Sequence, residues 1–340
     1  MIVTIRDVSS KQEWDDFVTA HKESNFLHSW QWGEFHLSRG KVVVRRGAYK
    51  GDELIGVYTG HVEPARRGVH LEIVGGPIVD WHDKALIDAI FADIKSTAAS
   101  HSCVYARIRP QLEDTPKHRD IFRAHGAKKA PMYLSVELAG VLNLEKSESE
   151  ILEGMRQRLR RALRKAEKNN ITVETSSDPA AIKEFYRIQL ETAGRHQFVA
   201  FSEDFLTKQF AAFTADNSAV LYTAKYEGET LAQNFMIFYG NEASYHYGVS
   251  TELGTKLSGA PLLHMQAMRD ARERGITRYN FWGIVDEEDT KHRFYGVSVF
   301  KRGFGVDELR YVPAHDIVIN PAAYLKTKAI ETARRKLRRV

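Results

Sequence analysis

Apolar positions along this chain switch repeatedly between a two-residue and a 3.6-residue period, which predicts strands and helices in alternation. Residues 11–20 predict a short helix with Trp14, Phe17 and Val18 inward, followed by a loop and an aromatic segment from Phe26 to Phe35. Residues 42–50, 53–63 and 69–75 are rich in β-branched side chains and read as strands, the first two joined by a hairpin turn at Gly51-Asp52. Over 84–100, Leu86, Ile87, Ile90, Phe91 and Ile94 share one helical stripe; 103–109 then reads as a strand, and 135–138 closes this half. A helix opens at Ser147, where Ser-Glu-Ser-Glu fits a capping box. It runs to Asn169 with Ile151, Leu152, Met155, Leu159, Leu163 and Ala166 as its apolar stripe. Strand 171–174, helix 179–194, strands 219–227, 230–239 and 242–249, helix 261–275 and strand 278–282 follow.

The second half repeats the first in outline. Gly51-Asp-Glu-Leu-Ile-Gly56 and Gly228-Glu-Thr-Leu-Ala-Gln233 both enter a strand from a hairpin turn, 177 residues apart, and both are followed by strand, loop, helix and strand. Duplication of one α/β unit is the economical explanation. The order strand–strand–strand–helix–strand, twice over, is that of the acyl-coenzyme-A N-acyltransferase (GNAT-like) folds. The expected fold class is therefore α/β with mixed sheets in two tandem GNAT-like domains. The first spans 1–146, completed by a C-terminal helix at 316–340, and the second spans 147–315. The pyrophosphate-cradling loop of such folds would fall at 255–261, where its glycine pattern is degraded.

Composition adds the setting. One cysteine, Cys103, excludes an internal disulfide framework and a Cys-based zinc cluster, and points to a reducing compartment, the cytoplasm. No run approaches the apolar length of a membrane span, and the N-terminus has no signal-peptide core. Charge is more informative by position than by sum. Residues 155–168 and 326–340 each carry seven basic side chains and one acid, so a chain of net +5 is mildly acidic apart from two strongly basic helices. Such segregation suits a polyanionic partner.

The motifs that are missing narrow the chemistry. The chain has no phosphate loop G-x-x-x-x-G-K-[ST], no G-x-G-x-x-G after a strand, no H-E-x-x-H and no G-x-S-x-G elbow. Cys103 sits in an apolar strand, where a thiol is inert. Chemistry in such a chain acts on a substrate that arrives already activated.

Several segments carry a resemblance to one family. The basic run Met155 to Lys168 leading into Ile171-Thr-Val-Glu174 resembles the second-domain opening of the Fem aminoacyltransferases. So do Phe26-Leu-His-Ser-Trp-Gln-Trp32-Gly33 and Gly75-Gly76-Pro77. The most specific stretches are Ala260 to Gln266, Arg278-Tyr-Asn-Phe-Trp-Gly-Ile284 and Phe300-Lys301-Arg-Gly-Phe304. The resemblance covers almost the whole chain. No long helical hairpin interrupts the second half, so the chain is similar to the compact FemX type.

The resemblance implies transfer of an amino acid of the glycine, alanine or serine class from aminoacyl-tRNA to the side-chain amine of a peptidoglycan precursor's stem peptide. That precursor is either lipid II or UDP-MurNAc-pentapeptide. No cofactor or metal is implied; the enzyme is expected as a cytoplasmic monomer, with peripheral contact at the inner membrane face. An aminoacyl ester is already activated, so positioning and oxyanion stabilisation suffice, and both substrates are polyanions.

Carried over residue by residue, Lys301 matches the lysine near the acyl-transfer centre, and Tyr247, in Tyr245-His-Tyr-Gly248, matches a tyrosine beside the cleft. Arg195 matches the arginine gripping the precursor pyrophosphate; Trp32, His36 and Phe304 complete the expected substrate-binding set. His36 or Glu34 falls where compact relatives carry a phosphate-binding lysine, and the chain departs from that pattern because neither is a permanent cation. Arg156, Arg160 and Arg164, on one face of the basic helix, are expected to contact tRNA phosphates. Asp286-Glu-Glu-Asp289 reads either as a solvated acidic loop or as a Mg²⁺ ligand set. Three rival functions remain open: an acyl-coenzyme-A-dependent N-acyltransferase, a non-catalytic nucleic-acid-binding protein, and aminoacyl transfer to a protein N-terminus.

Overall fold

The computed structural model describes residues 2–65, 68–196 and 199–338, of which 195, 196 and 336–338 are described by backbone alone. The chain divides into two units, residues up to Glu137 together with those from Arg310 onward, and Leu138–Leu309.

The first unit runs β1 (Val3–Asp7), α1 (Lys11–Thr19), α2 (Trp30–Ser38), β2 (Val43–Lys50), β3 (Glu53–Ala65), β4 (Gly68–Gly75), β5 (Ile78–Val79), α3 (Lys84–Ser100), β6 (Tyr105–Pro110), α4 (Pro116–Ala124) and β7 (Lys128–Lys129). The second runs β8 (Leu138–Asn143), α5 (Glu148–Gly154), α6 (Gln157–Lys168), β9 (Thr172–Ser176), α7 (Ile182–His196), α8 (Glu203–Thr214), β10 (Ala219–Tyr226), β11 (Glu229–Tyr239), β12 (Glu242–Ser250), α9 (Glu252–Leu257), α10 (Gly259–Glu273), β13 (Arg278–Gly283), α11 (Tyr295–Arg302) and β14 (Asp307–Arg310). The chain then returns to the first unit as β15 (His315–Val318) and α12 (Pro321–Arg338).

The first sheet has the order β1-β2-β3-β4-β6-β15-β7, with β5 beside β3; the second has the order β14-β8-β13-β12-β11-β10-β9. Each holds one parallel pair at its centre, β4–β6 and β12–β13. In each unit the helix between those strands packs on the sheet. From α3, Leu86, Ile90 and Ile94 enter the first core, and from α10, Leu263, Ala267 and Ala271 enter the second.

The repeat is visible in detail. The pairs flanking the turns, Lys50 with Glu53 and Tyr226 with Glu229, lie 176 residues apart, one fewer than the sequence alignment of the turns suggests. Both hairpins slip register one step before that turn, between Ala48 and Tyr49 and between Ala224 and Lys225.

Several expectations change. The strand expected at 135–138 is Leu138–Asn143, and it pairs with β13, so the boundary of the second unit falls before it rather than at 146/147. The helix expected from 147 to 168 is two helices. Ser147 does form the capping box with Glu150, but Met155 and Arg156 are extended, and the Arg156 amide donates to Gly303 O at 2.8 Å. A Cβ on Gly305 would meet Gly154 O at 2.6 Å, so the absence of a side chain there is what lets this crossing be close. Strand β1 and helices α4, α8, α9 and α11 are not evident in the periodicity.

Helix α12 turns a mixed polar and aromatic face inward. Tyr324, Thr327 and Glu331 are buried, while Leu325, Ala329 and Ala333 face out; Ile330 is half-buried and the Leu337 side chain lies outside the described residues.

Candidate active site

In the second sheet, β12 and β13 are paired only from Glu242–Ser244 to Arg278–Asn280, and then part. A bulge in β12 sets them apart: Tyr247 opposes Phe235 and Tyr245 opposes Met236, leaving His246 as the extra residue. A bulge bends its strand and increases the local twist. On β13, Trp282 adopts a left-handed φ of 65°, a conformation that costs about 1–3 kcal/mol for such a residue. Its amide donates to Asn280 Oδ1 at 2.8 Å, which holds the turn. The corresponding strands of the first unit, β4 and β6, stay in register over six pairs from His70–Tyr105 to Gly75–Pro110. The parallel strands of the second unit thus part toward their carboxyl ends, the end at which open α/β sheets take ligands, while those of the first stay paired.

Lys301 occupies that opening. It belongs to α11, whose buried face is Ser298, Lys301 and Arg302, the i, i+3, i+4 spacing of one helical stripe. All three hold the exit of β13. Ser298 Oγ accepts from the Val285 amide at 2.9 Å, Arg302 donates to Val285 O at 2.7 Å, and Lys301 Nζ donates to Gly283 O at 2.7 Å. The ammonium lies 5.5 Å from the centroid of the Tyr245 ring.

Burial pushes Lys301 from its ordinary 10.5 down to about 7. Its neighbours are neutral. Burial, and then the charge of Lys301, hold His264 at about 3, and burial pushes the Tyr245 phenol up. His264 Nδ1 lies 2.8 Å from the Tyr279 hydroxyl, and its ring meets Tyr245 edge-on at 4.5 Å. The site therefore holds a nitrogen poised between its two protonation states, in surroundings where developing negative charge on a bound carbonyl would fix it as the cation.

The other expected residues are placed as follows. Tyr247 packs with Phe201, Phe235 and His246. Because adjacent partners on β11 point to opposite faces, the bulge puts Tyr245 and Tyr247 on opposite sides of the sheet, and it is Tyr245 that lies beside Lys301. Gly248 completes that wall, since a Cβ there would stand 1.7 Å from the Tyr245 hydroxyl.

Phe304 is corrected from substrate contact to core. It is 0% exposed, packed on His264, Phe281 and Phe300, with no surface to offer a ligand. Arg195 lies in α7, but its side chain is outside the described residues.

Arg156, Arg160 and Arg164 do not form a common set. Arg156 caps the start of α6 and Arg164 is exposed, whereas Arg160 turns back and donates to the carbonyls of Leu152, Glu153 and Met155, closing the end of α5. In the acidic loop, Glu287 faces Arg302 at 3.6 Å and Arg156 at 4.0 Å.

In the first unit Trp32 is half-buried, edge-on to Phe26 and His36. His36 is buried, stacked on His61 at 3.5 Å, and burial followed by the His61 charge lowers it to about 2. It is a neutral ring in an aromatic stack and not a phosphate cation. The two motifs flanking this region answer to each other. Asn25 donates to Gly75 O at 2.9 Å, and a Cβ on Gly76 would stand 2.1 Å from the His28 ring.

The loop expected to cradle a coenzyme pyrophosphate is occupied by α9, whose glycine serves packing. A Cβ on Gly254 would lie 1.9 Å from Leu231 O, and one on Gly259 3.0 Å from Leu231 Cβ.

Residues 9–132 match the FemAB family, and residues 153–301 match the acetyltransferase (GNAT) domain. The chain is 22% identical to the lipid II:glycine glycyltransferase of Staphylococcus aureus strain USA300, over 93% of each chain. Among solved structures, FemX superposes with a TM-score of 0.85 at 21% identity, covering 96% of this chain and 100% of that one. A tandem GNAT protein from the clavulanic acid biosynthesis pathway superposes at 0.57, with 12% identity over 94% of this chain and 99% of that one. One stretch thus matches each half, the first the FemAB family and the second the GNAT domain, and over almost its whole length the chain has the fold of FemX, built from two GNAT-type units.

Proposed function

We propose that this protein is an aminoacyltransferase of peptidoglycan bridge synthesis, which takes the amino acid from aminoacyl-tRNA and attaches it to the side-chain amine of a lipid-linked precursor's stem peptide. The observation that carries the reading is Lys301, buried at the parted ends of β12 and β13. In the reaction the acceptor amine attacks the ester carbonyl; the new C–N bond forms, the C–O bond to the tRNA ribose breaks, and the amine's proton ends on the ribose hydroxyl. Lys301 stabilises the oxyanion between those events. Exposed cations on α6, Arg158, Arg161 and Arg164 among them, with Arg156 just before it, supply phosphate contacts for the tRNA. The lipid-linked acceptor is favoured over the soluble nucleotide precursor because His36 is uncharged and buried where relatives use a cation. It also accords with the acceptor in the staphylococcal relative's name.

Transfer of labelled glycine, alanine and serine from charged tRNA, with lipid II and UDP-MurNAc-pentapeptide offered in parallel, tests this. Ribonuclease-sensitive label on lipid II that is lost in Lys301→Ala is the expected result. Label from acetyl-coenzyme A on a small amine, with none from tRNA, would replace the reading with a coenzyme-dependent acyltransferase.

A further inference from the structure

We propose that the outer face of α12 is a binding surface for an anionic lipid bilayer. The helix is fastened by its polar side. Arg107 donates to Asp316 at 2.7 and 2.9 Å and to Glu331 at 2.7 Å, and the Tyr324 hydroxyl donates to Asp316 at 2.8 Å, all buried. This two-pronged clamp fixes the roll of the helix, because Tyr324, Thr327 and Glu331 must face the sheet. What is left outward is the apolar line Leu325, Ala329 and Ala333 at i, i+4, i+8, with Ala322 beside it. Leu325 is 69% exposed. Lys326, Lys328, Arg334 and Arg335 are exposed around the same helix, in a stretch of net charge +6 over 326–340.

An apolar line bordered by cations is the form of a helix that lies in a bilayer interface. A nucleic acid would engage the cations alone and give Leu325 no contact, so the bilayer accounts for more of the face. The inference extends the lipid-linked-acceptor reading by giving that acceptor's membrane a contact, and it is measured without acceptor or tRNA, so each can fail alone.

The experiment is sedimentation of the full chain with vesicles of phosphatidylglycerol and phosphatidylcholine, against vesicles of phosphatidylcholine only. Binding is expected for the anionic vesicles and not the neutral ones. Lys326→Ala with Lys328→Ala should weaken it roughly thirty-fold, about 1 kcal/mol for each cation at an anionic surface. Leu325→Glu should weaken it as well. All of these sites are exposed, so melting temperatures should hold. Lys84→Ala with Lys95→Ala, an equal loss of charge on α3, should stay within two-fold of wild type. Equal binding to neutral vesicles, an equal loss in the α3 control, or α12 variants that keep vesicle binding and lose charged tRNA would each overturn the proposal.

Discussion

Replacing Lys301 by methionine should make the protein more stable at neutral pH while abolishing its proposed activity. A lysine held at about 7 in the folded chain and at 10.5 when unfolded penalises the fold at every pH below about 10.5. Below about pH 7 both states are charged and the penalty is full; between 7 and 10.5 only the unfolded chain keeps its proton, and stability rises with pH. The penalty works out at about 4 kcal/mol at pH 7, about 2 at pH 9 and under about 1 at pH 10. Methionine fills nearly the same volume without the charge, but leaves the Gly283 carbonyl unpaired, costing about 1 kcal/mol. The net expectation is a gain of about 3 kcal/mol at pH 7 that is gone by pH 10. Urea unfolding followed by circular dichroism across that range measures it. A variant less stable than wild type at pH 7, or a difference that does not shrink as pH rises, would refute the reasoning.

Four further outcomes follow from the geometry. Arg160→Ala should lower stability by about 1–2 kcal/mol, since its three carbonyl acceptors lose their donor, yet leave the salt dependence of tRNA binding unchanged. Arg164→Ala should do the reverse, reducing the salt slope by about one unit. Gly254→Ala should cost about 3 kcal/mol or more in a thermal melt, because its methyl would meet the backbone oxygen of Leu231. Arg107→Met should destabilise by about 3–5 kcal/mol, through loss of the guanidinium that pairs with the buried carboxylates of Asp316 and Glu331; urea unfolding of that variant measures it.

Much of the architecture is legible in the residues. The hairpins, the long amphipathic helix at 84–100 and the capping box at Ser147 are local signals, and they stand where the periodicity puts them. What is not legible depends on long-range pairing. At Met155-Arg156 the apolar stripe runs on without a gap, and only Gly154 hints at a break that the crossing of Gly303 and Gly305 makes plain. Lys301 reads as a cation in the sequence; its depressed basicity comes from enclosure by elements far away along the chain. The motif Tyr245-His-Tyr247 offers two tyrosines on one face if the strand is regular, and only the bulge at His246 separates them. Phe304 is conspicuous because it packs, and its neighbours His264 and Phe281 explain it without a ligand. In α12 the buried partner is the Arg107 clamp, a contact made across more than 200 residues, so Glu331 turns inward and Leu325 is left outside.

The return of β15 to the first sheet has a consequence for how this chain is made. Every strand of the second sheet but one residue lies within an uninterrupted stretch, whereas β6 is completed by a strand whose Asp316 is 209 residues beyond its partner Arg107. On the ribosome the second unit has all its elements before β15 emerges, while the fully buried strand β6 waits with one edge unpaired. An open, apolar edge is a template for another chain. A fragment ending near Glu137 would carry that edge permanently, together with an Arg107 that has lost Asp316 and Glu331. It should therefore associate with itself under conditions where the second unit, produced on its own, stays dispersed.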